Sequence, residues 1–209
     1  MTDYLTEEEQ VQQLKSWLKT YGPTVIISIF LAFSLSYAWD YWKEHKIKVA
    51  TNASEVYDQM LAMRTQNNIR DTEAEAKTLI SKFPKTPYAN MAALMLARDA
   101  AIEKNYEEAK KQLNWVLANS STVAIQDIAA TRIARILIQE KKPEEAIAIL
   151  DRVKDPSFKA LANETKGDAY LMLKDKTKAL ESYRKSNDEL QNIGISRPLL
   201  EMKIQNLAT

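Results

Sequence analysis

Two hydrophobic patterns divide this chain. From Thr20 to Trp39 the side chains are uncharged on every side, bounded by Lys19 and Asp40. At about 1.5 Å per helical residue that stretch reaches roughly 30 Å, the thickness of one bilayer core. Trp17 and Tyr21 crowd one end, and Tyr37, Trp39, Tyr41 and Trp42 the other, where amphipathic rings settle among headgroups. The pattern predicts a single membrane-crossing helix over 20–42. Within it Ser28, Ala32 and Ser36 fall four apart and share one face, a strip of small residues that would admit a second helix; the same residues also sit harmlessly against lipid.

Residues 1–19 read as a tail with an amphipathic helix. Thr6 and Glu9 have capping-box spacing. Val11, Leu14 and Leu18 share a face with Trp17 beside it, and Lys15 and Lys19 can snorkel to headgroups, so this helix is expected at the membrane interface. Gly22-Pro23 should end it, with Pro23 opening the spanning helix. Ser36-Tyr37-Ala38 would suit a signal peptidase, but a long lead carrying Asp3, Glu7, Glu8 and Glu9 precedes the apolar run, which favours an uncleaved anchor. A buried core helix would have to hide an all-round apolar cylinder among amphipathic neighbours.

Behind the anchor the apolar positions return at helical spacing and the chain repeats itself. No Gly or Pro lies between Pro23 and Pro84, so the spanning helix is expected to continue through Lys43–Ala50, stopping at Thr51-Asn52 or Asn67-Asn68. Ala76, Ala109, Ala146 and Ala179 align at intervals of 33, 37 and 33 residues. After the last three, a bulky residue follows one turn on: Leu113, Leu150 and Tyr183. Small residues let helices approach and the bulky ones fill the gap between hairpins. Gly167 and Tyr170 complete a first-helix signature whose counterparts are Ala97 with Ala100 and Ala134 with Leu137. The period, about 34 residues, resembles that of tetratricopeptide repeats. Three hairpins follow this register, a weaker fourth spans 54–83, and Pro84, Pro87, Pro143 and Pro156 fall in the turns. A last helix after Ser196-Arg197-Pro198 should cover the final hairpin with Leu199, Leu200, Ile204 and Leu207. The expected fold is all-α: an N-terminal single transmembrane helix, then a tetratricopeptide-like right-handed helical-hairpin solenoid over 43–209.

Composition narrows the function. With 29 basic and 28 acidic residues there is no basic field for nucleic acid, and with no cysteine there are neither disulfides nor thiolate sites. Three scattered glycines cannot form a phosphate loop. The one histidine, His45, has no second His or Cys with which to share a metal. Glu107-Glu108 and Glu144-Glu145 stand where acids favour a helix N-terminus, and read as solvated caps. The triplets at Asn52, Asn119 and Asn163 fit a glycosylation signal but are short enough to arise by chance. No catalytic constellation, cofactor or small-molecule substrate is expected.

The acidic tail, Val11-Gln12-Gln13-Leu14-Lys15-Ser16-Trp17-Leu18-Lys19-Thr20-Tyr21-Gly22, the anchor directly behind it and its Trp39-Asp40-Tyr41-Trp42 ending resemble the YfgM family, the ancillary subunit of the bacterial SecYEG translocon. The resemblance implies a single-pass protein of the bacterial inner membrane with a cytoplasmic N-terminus and a periplasmic repeat domain. It also implies partnership with SecYEG and with a PpiD-like periplasmic chaperone, in handing over emerging chains. Lysines are nearly balanced across the span and lean slightly toward a cytoplasmic C-terminus; the resemblance points the other way. A second class remains open, an assembly factor or regulatory subunit for an envelope enzyme or for outer-membrane or cell-wall machinery. In tetratricopeptide arrays the first helix of each hairpin lines a groove. Transferring that register brings together Met91, Leu94 and Arg98, then Ile128, Thr131 and Arg135, then Leu161, Glu164 and Asp168. These residues either receive a partner segment or pack the hairpins on one another, Arg135 with Asp168 for example.

Overall fold

A computed structural model describes residues 7–208. Among them the chain is helical throughout, with nine helices and no strand: α1 (Glu7–Thr65), α2 (Ile69–Lys82), α3 (Pro87–Ile102), α4 (Tyr106–Asn119), α5 (Val123–Gln139), α6 (Pro143–Leu150), α7 (Pro156–Met172), α8 (Lys176–Gln191) and α9 (Pro198–Ala208). The expected Thr6–Glu9 capping box lies outside the described residues. The chain divides into two units, one ending at Thr51 and the other beginning at Asn52.

The first unit consists of α1 up to Thr51. The break expected at Gly22-Pro23 is not there: α1 passes through both, with Pro23 inside the helix. Proline forfeits one backbone hydrogen bond, whereas stopping the helix would strand several amides in an apolar stretch, so continuation costs less. The uncharged stretch is exposed apart from the half-buried Gly22 and is long and apolar enough to cross a membrane. Its ends carry ring pairs: Trp17 and Tyr21 lie 5.9 Å apart and Trp39 and Trp42 5.3 Å apart, with Lys46 Nζ 3.7 Å from the Trp42 ring.

The second unit is a row of helical hairpins: the end of α1 with α2, then α3–α4, α5–α6 and α7–α8, with α9 behind. Each hairpin turns through one residue with positive φ: Asn67, Lys104, Lys141 and Lys174. In each case that residue's amide bonds three residues back and the next amide bonds five back, as in Lys104 N–H to Ala101 O and Asn105 N–H to Ala100 O, which closes the helix in a Schellman turn. These turns recur after 37, 37 and 33 residues. The first interval corrects the expected 33. Thr72, 3 % exposed, holds in α2 the place that Ala109, Ala146 and Ala179 hold later, and Ala76 sits one helical turn beyond it. Asn68, Asn105 and Asp175 cap the second helices by accepting from the amides of Asp71, Glu108 and Lys178.

Ala109, Ala146 and Ala179 are fully buried, and so, to within 1 %, are Leu113, Leu150 and Tyr183. Across each hairpin a small residue faces the bulky one: Ala97, Ala134 and Gly167 hold equivalent, buried positions. At the last hairpin the partner is a ring, and a Cβ on Gly167 would lie 2.3 Å from Tyr183 Cε1. Glycine is required there for the close approach of α7 and α8. One apolar cluster runs through α3 to α7, flanked by a smaller one around Met60, Leu79 and Ala92 and another around Tyr183, Leu190 and Leu200. The short α6 is followed by a loop held from α5, where the buried Asp127 carboxylate accepts from the amides of Lys154 at 3.0 Å and Asp155 at 2.7 Å. In α9, Leu200 is fully buried and Ile204 and Leu207 pack beside it, as expected of a cover; Leu199 departs from that expectation and faces out.

Candidate partner-binding face of the repeats

The first helices α3, α5 and α7 carry all nine residues proposed for the groove. Where each lies depends on which flank of its helix it occupies. Met91 is 45 % exposed on α3; Leu94 is half-buried against the main core; Ile128 and Leu161 are half-buried on α5 and α7. Arg98 and Arg135 come together at a cavity of about 420 Å³ between α3 and α5, and Arg132 joins them. Its apolar lining includes Ala97, Ala101, Leu113 and Ile136. Arg132 Nη1 donates to the Leu94 carbonyl at 3.2 Å, tying α5 to α3. Its guanidinium is held below the usual arginine range by burial first and then by the charges of Arg135 and Arg98. Among the described residues none of the three arginines has an ion-pair partner, although lysines and carboxylates elsewhere in the solenoid pair repeatedly.

Three of the nine serve the interior or the cover instead. Thr131 is 1 % exposed and its hydroxyl donates to the Asp127 carbonyl one turn back, so it packs the core. Glu164 is 5 % exposed and forms ion pairs with Arg197, just before α9, and with Lys203 within it. Asp168 accepts from the Tyr183 hydroxyl at 2.6 Å and from Lys203 at 2.7 Å. Asp168 is thus committed to α8 and α9, and it makes no pair with Arg135. Tyr183 is in turn held protonated, its phenol pushed well above the ordinary range by burial and then by the bond to Asp168. The sequence reading does not single out Arg132 or Lys203 and has Arg197 only in the turn before the last helix; for Arg132 a signal exists, since it stands three residues from Arg135 on one flank of the same helix.

Near the other end of the repeats, Arg64 in α1 makes a two-pronged contact with Asp99 at 2.6 and 2.8 Å, closing the first hairpin against α3. On the apolar part of α1, Ser28, Ala32 and Ser36 are exposed, and the Ser28 hydroxyl donates to the Thr24 carbonyl at 2.8 Å. That bond satisfies the Ser28 hydroxyl within its own helix. No grouping of His, Cys, Asp and Glu suited to a metal occurs among the described residues.

A family model described as a tetratricopeptide repeat-like domain matches residues 15–209. Among similar proteins, one from Neisseria gonorrhoeae (strain ATCC 700825 / FA 1090) is 29 % identical, covering 99 % of this chain and 100 % of its own. One from Buchnera aphidicola subsp. Schizaphis graminum (strain Sg) is 30 % identical over 91 % of this chain and 94 % of its own, and one from Escherichia coli (strain K12) is 26 % identical over the full length of both. Each is named ancillary SecYEG translocon subunit. No solved structure matches the chain. With an apolar N-terminal helix followed by hairpin repeats, and similarity that runs from end to end, this chain belongs to the family of ancillary SecYEG translocon subunits, built on a tetratricopeptide repeat-like domain.

Proposed function

We propose that this protein is a non-enzymatic scaffold anchored in the bacterial inner membrane beside the Sec translocon. α1 crosses once with its N-terminus in the cytoplasm, and the repeats stand in the periplasm, where they receive a segment of a partner during the hand-over of emerging chains to a PpiD-like chaperone. The observation that carries this reading is the end-to-end similarity to proteins named ancillary SecYEG translocon subunit, which includes the anchor as well as the repeats. The fold supports it physically. A row of hairpins buries one stripe to build an extended surface, and what stands on that surface is an apolar-floored cavity rimmed by arginines, suited to binding.

Gentle solubilisation of membranes followed by pull-down of the tagged full chain tests it. SecY, SecE and SecG should be recovered in amounts that survive moderate salt. Recovery of a cell-wall or outer-membrane assembly machine without Sec subunits would assign the protein to the other class.

A further inference from the structure

Two junctions between successive first helices of this solenoid handle charge in opposite ways. α9 follows α8 as the next first helix would, and its junction with α7 is closed by attraction: the Glu164 carboxylate lies between Arg197 and Lys203, and Lys203 also reaches Asp168. Stepping back by 33 residues replaces Asp168 with Arg135, and by 37 more with Arg98; the buried Gly167, Ala134 and Ala97 fix that correspondence. At the α3–α5 junction cations therefore stand on both sides, Arg98 on α3 and Arg132 and Arg135 on α5, with no described carboxylate between them. The gap stays open at about 420 Å³, and Ile102 at its edge is 67 % exposed.

We propose that this cavity is a receptor for an acidic segment of a partner protein, in which two carboxylates flanking apolar side chains bridge Arg98, Arg132 and Arg135. The inference rests on the scaffold reading above and adds the chemistry of the partner. A carboxylate there does for the arginines what Glu164 does for Arg197 and Lys203, and guanidinium pairs bind carboxylates in a fixed two-pronged geometry. The apolar lining of Ala97, Ala101, Leu113 and Ile136 takes the leucine-like side chains between them. Burial first, and then the charges of Arg135 and Arg98, disfavour the charge of Arg132, so a bound carboxylate relieves a repulsion as well as forming new bonds.

The test is fluorescence anisotropy with the full chain in lipid nanodiscs and a dye-labelled peptide in which two glutamates flank a pair of leucines, set against the same peptide with glutamines. The glutamate peptide should bind about ten-fold more tightly, the scale of one charge-assisted hydrogen bond, and more weakly as salt rises. That preference should disappear in Arg132→Gln and in the double variant Arg98→Gln/Arg135→Gln, and persist in Arg184→Gln on α8. Equal binding of the two peptides by the unaltered chain would overturn the proposal, whatever the variants do. So would a preference undiminished in the arginine variants, or displacement of the peptide by millimolar inorganic phosphate at matched ionic strength, which would mark a general anion site. Sec recovery by the unaltered chain separates the two levels. If Sec subunits are recovered and the glutamate preference is absent, the inference alone fails; if they are not recovered, the scaffold reading fails.

Discussion

Gly167 and Tyr183 show how single residues set the spacing of the last hairpin. In the two preceding hairpins an alanine faces a leucine, Ala97 with Leu113 and Ala134 with Leu150, and in the last the small side loses a methyl while the large side gains a ring. Gly167→Ala should therefore destabilise by about 1–3 kcal/mol through overpacking. Adding Tyr183→Leu should recover part of that loss, because it restores the pairing the other hairpins use, although it leaves Asp168 without the phenol's hydrogen bond. Urea unfolding of the two single variants and the double variant gives the coupling; simple additivity would show that the two side chains do not compete for the same space.

What was legible at this scale was whatever a residue type declares locally. Ala109, Ala146, Ala179 and their bulky successors could be read because helix crossings demand small residues at one spacing. The first hairpin was misread by one turn because α2 buries two small residues four apart, Thr72 and Ala76, and the spacing alone does not say which one marks the crossing. The left-handed turn residues carry the true register, but three of the four are lysines, a residue type that gives no sign of positive φ. Thr131 and Glu164 were assigned to the groove by register, yet each first helix has neighbours on both flanks, and only the packing shows that these two point inward or toward α9.

Among the elements, α9 is held by polar contacts as much as by its apolar side. Leu200 is sealed in, while Glu164 pairs with Arg197 and Lys203 and the Lys203 ammonium lies 5.2 Å from the Tyr183 ring. Glu164→Ala leaves Lys203 with Asp168 alone and Arg197 without a carboxylate among the contacts described, and since both cations are partly solvated the cost should be about 1–2 kcal/mol. The loss should appear first as earlier proteolytic cleavage around α9, before the other hairpins become susceptible; a change confined to α2 or α3 would contradict the arrangement. α1 was legible as an apolar span from its composition, and its end at Asn67-Asn68 was among the expected stops; its passage through Pro23 was not, because local propensity could not weigh the cost of stranded amides. We propose that Ser28, Ala32 and Ser36 form a packing face for another membrane helix. Ala32→Leu should then lower Sec recovery while the protein stays in the membrane fraction, since the span remains apolar but close approach is blocked. Unchanged recovery would place that strip against lipid.

At the scale of the whole molecule, an apolar helix continues into a row of hairpins that carries an arginine-rimmed, apolar-lined cavity. The number of hairpins is legible in the period, which reflects how stacked hairpins bury one another, and the closing helix in the turn Ser196-Arg197-Pro198 and the apolar residues behind it. Orientation does not follow from charge, because Lys15 and Lys19 before the span nearly balance Lys43, Lys46 and Lys48 after it. A scaffold that meets emerging chains must present its repeats outside the cytoplasm, so the most direct test is protease added to intact spheroplasts, with the chain followed by antibodies to both of its ends. The account predicts that α2 to α9 are digested without lysis while an N-terminal membrane-embedded fragment survives. Complete protection of the repeats in intact spheroplasts, with digestion only after lysis, would contradict it.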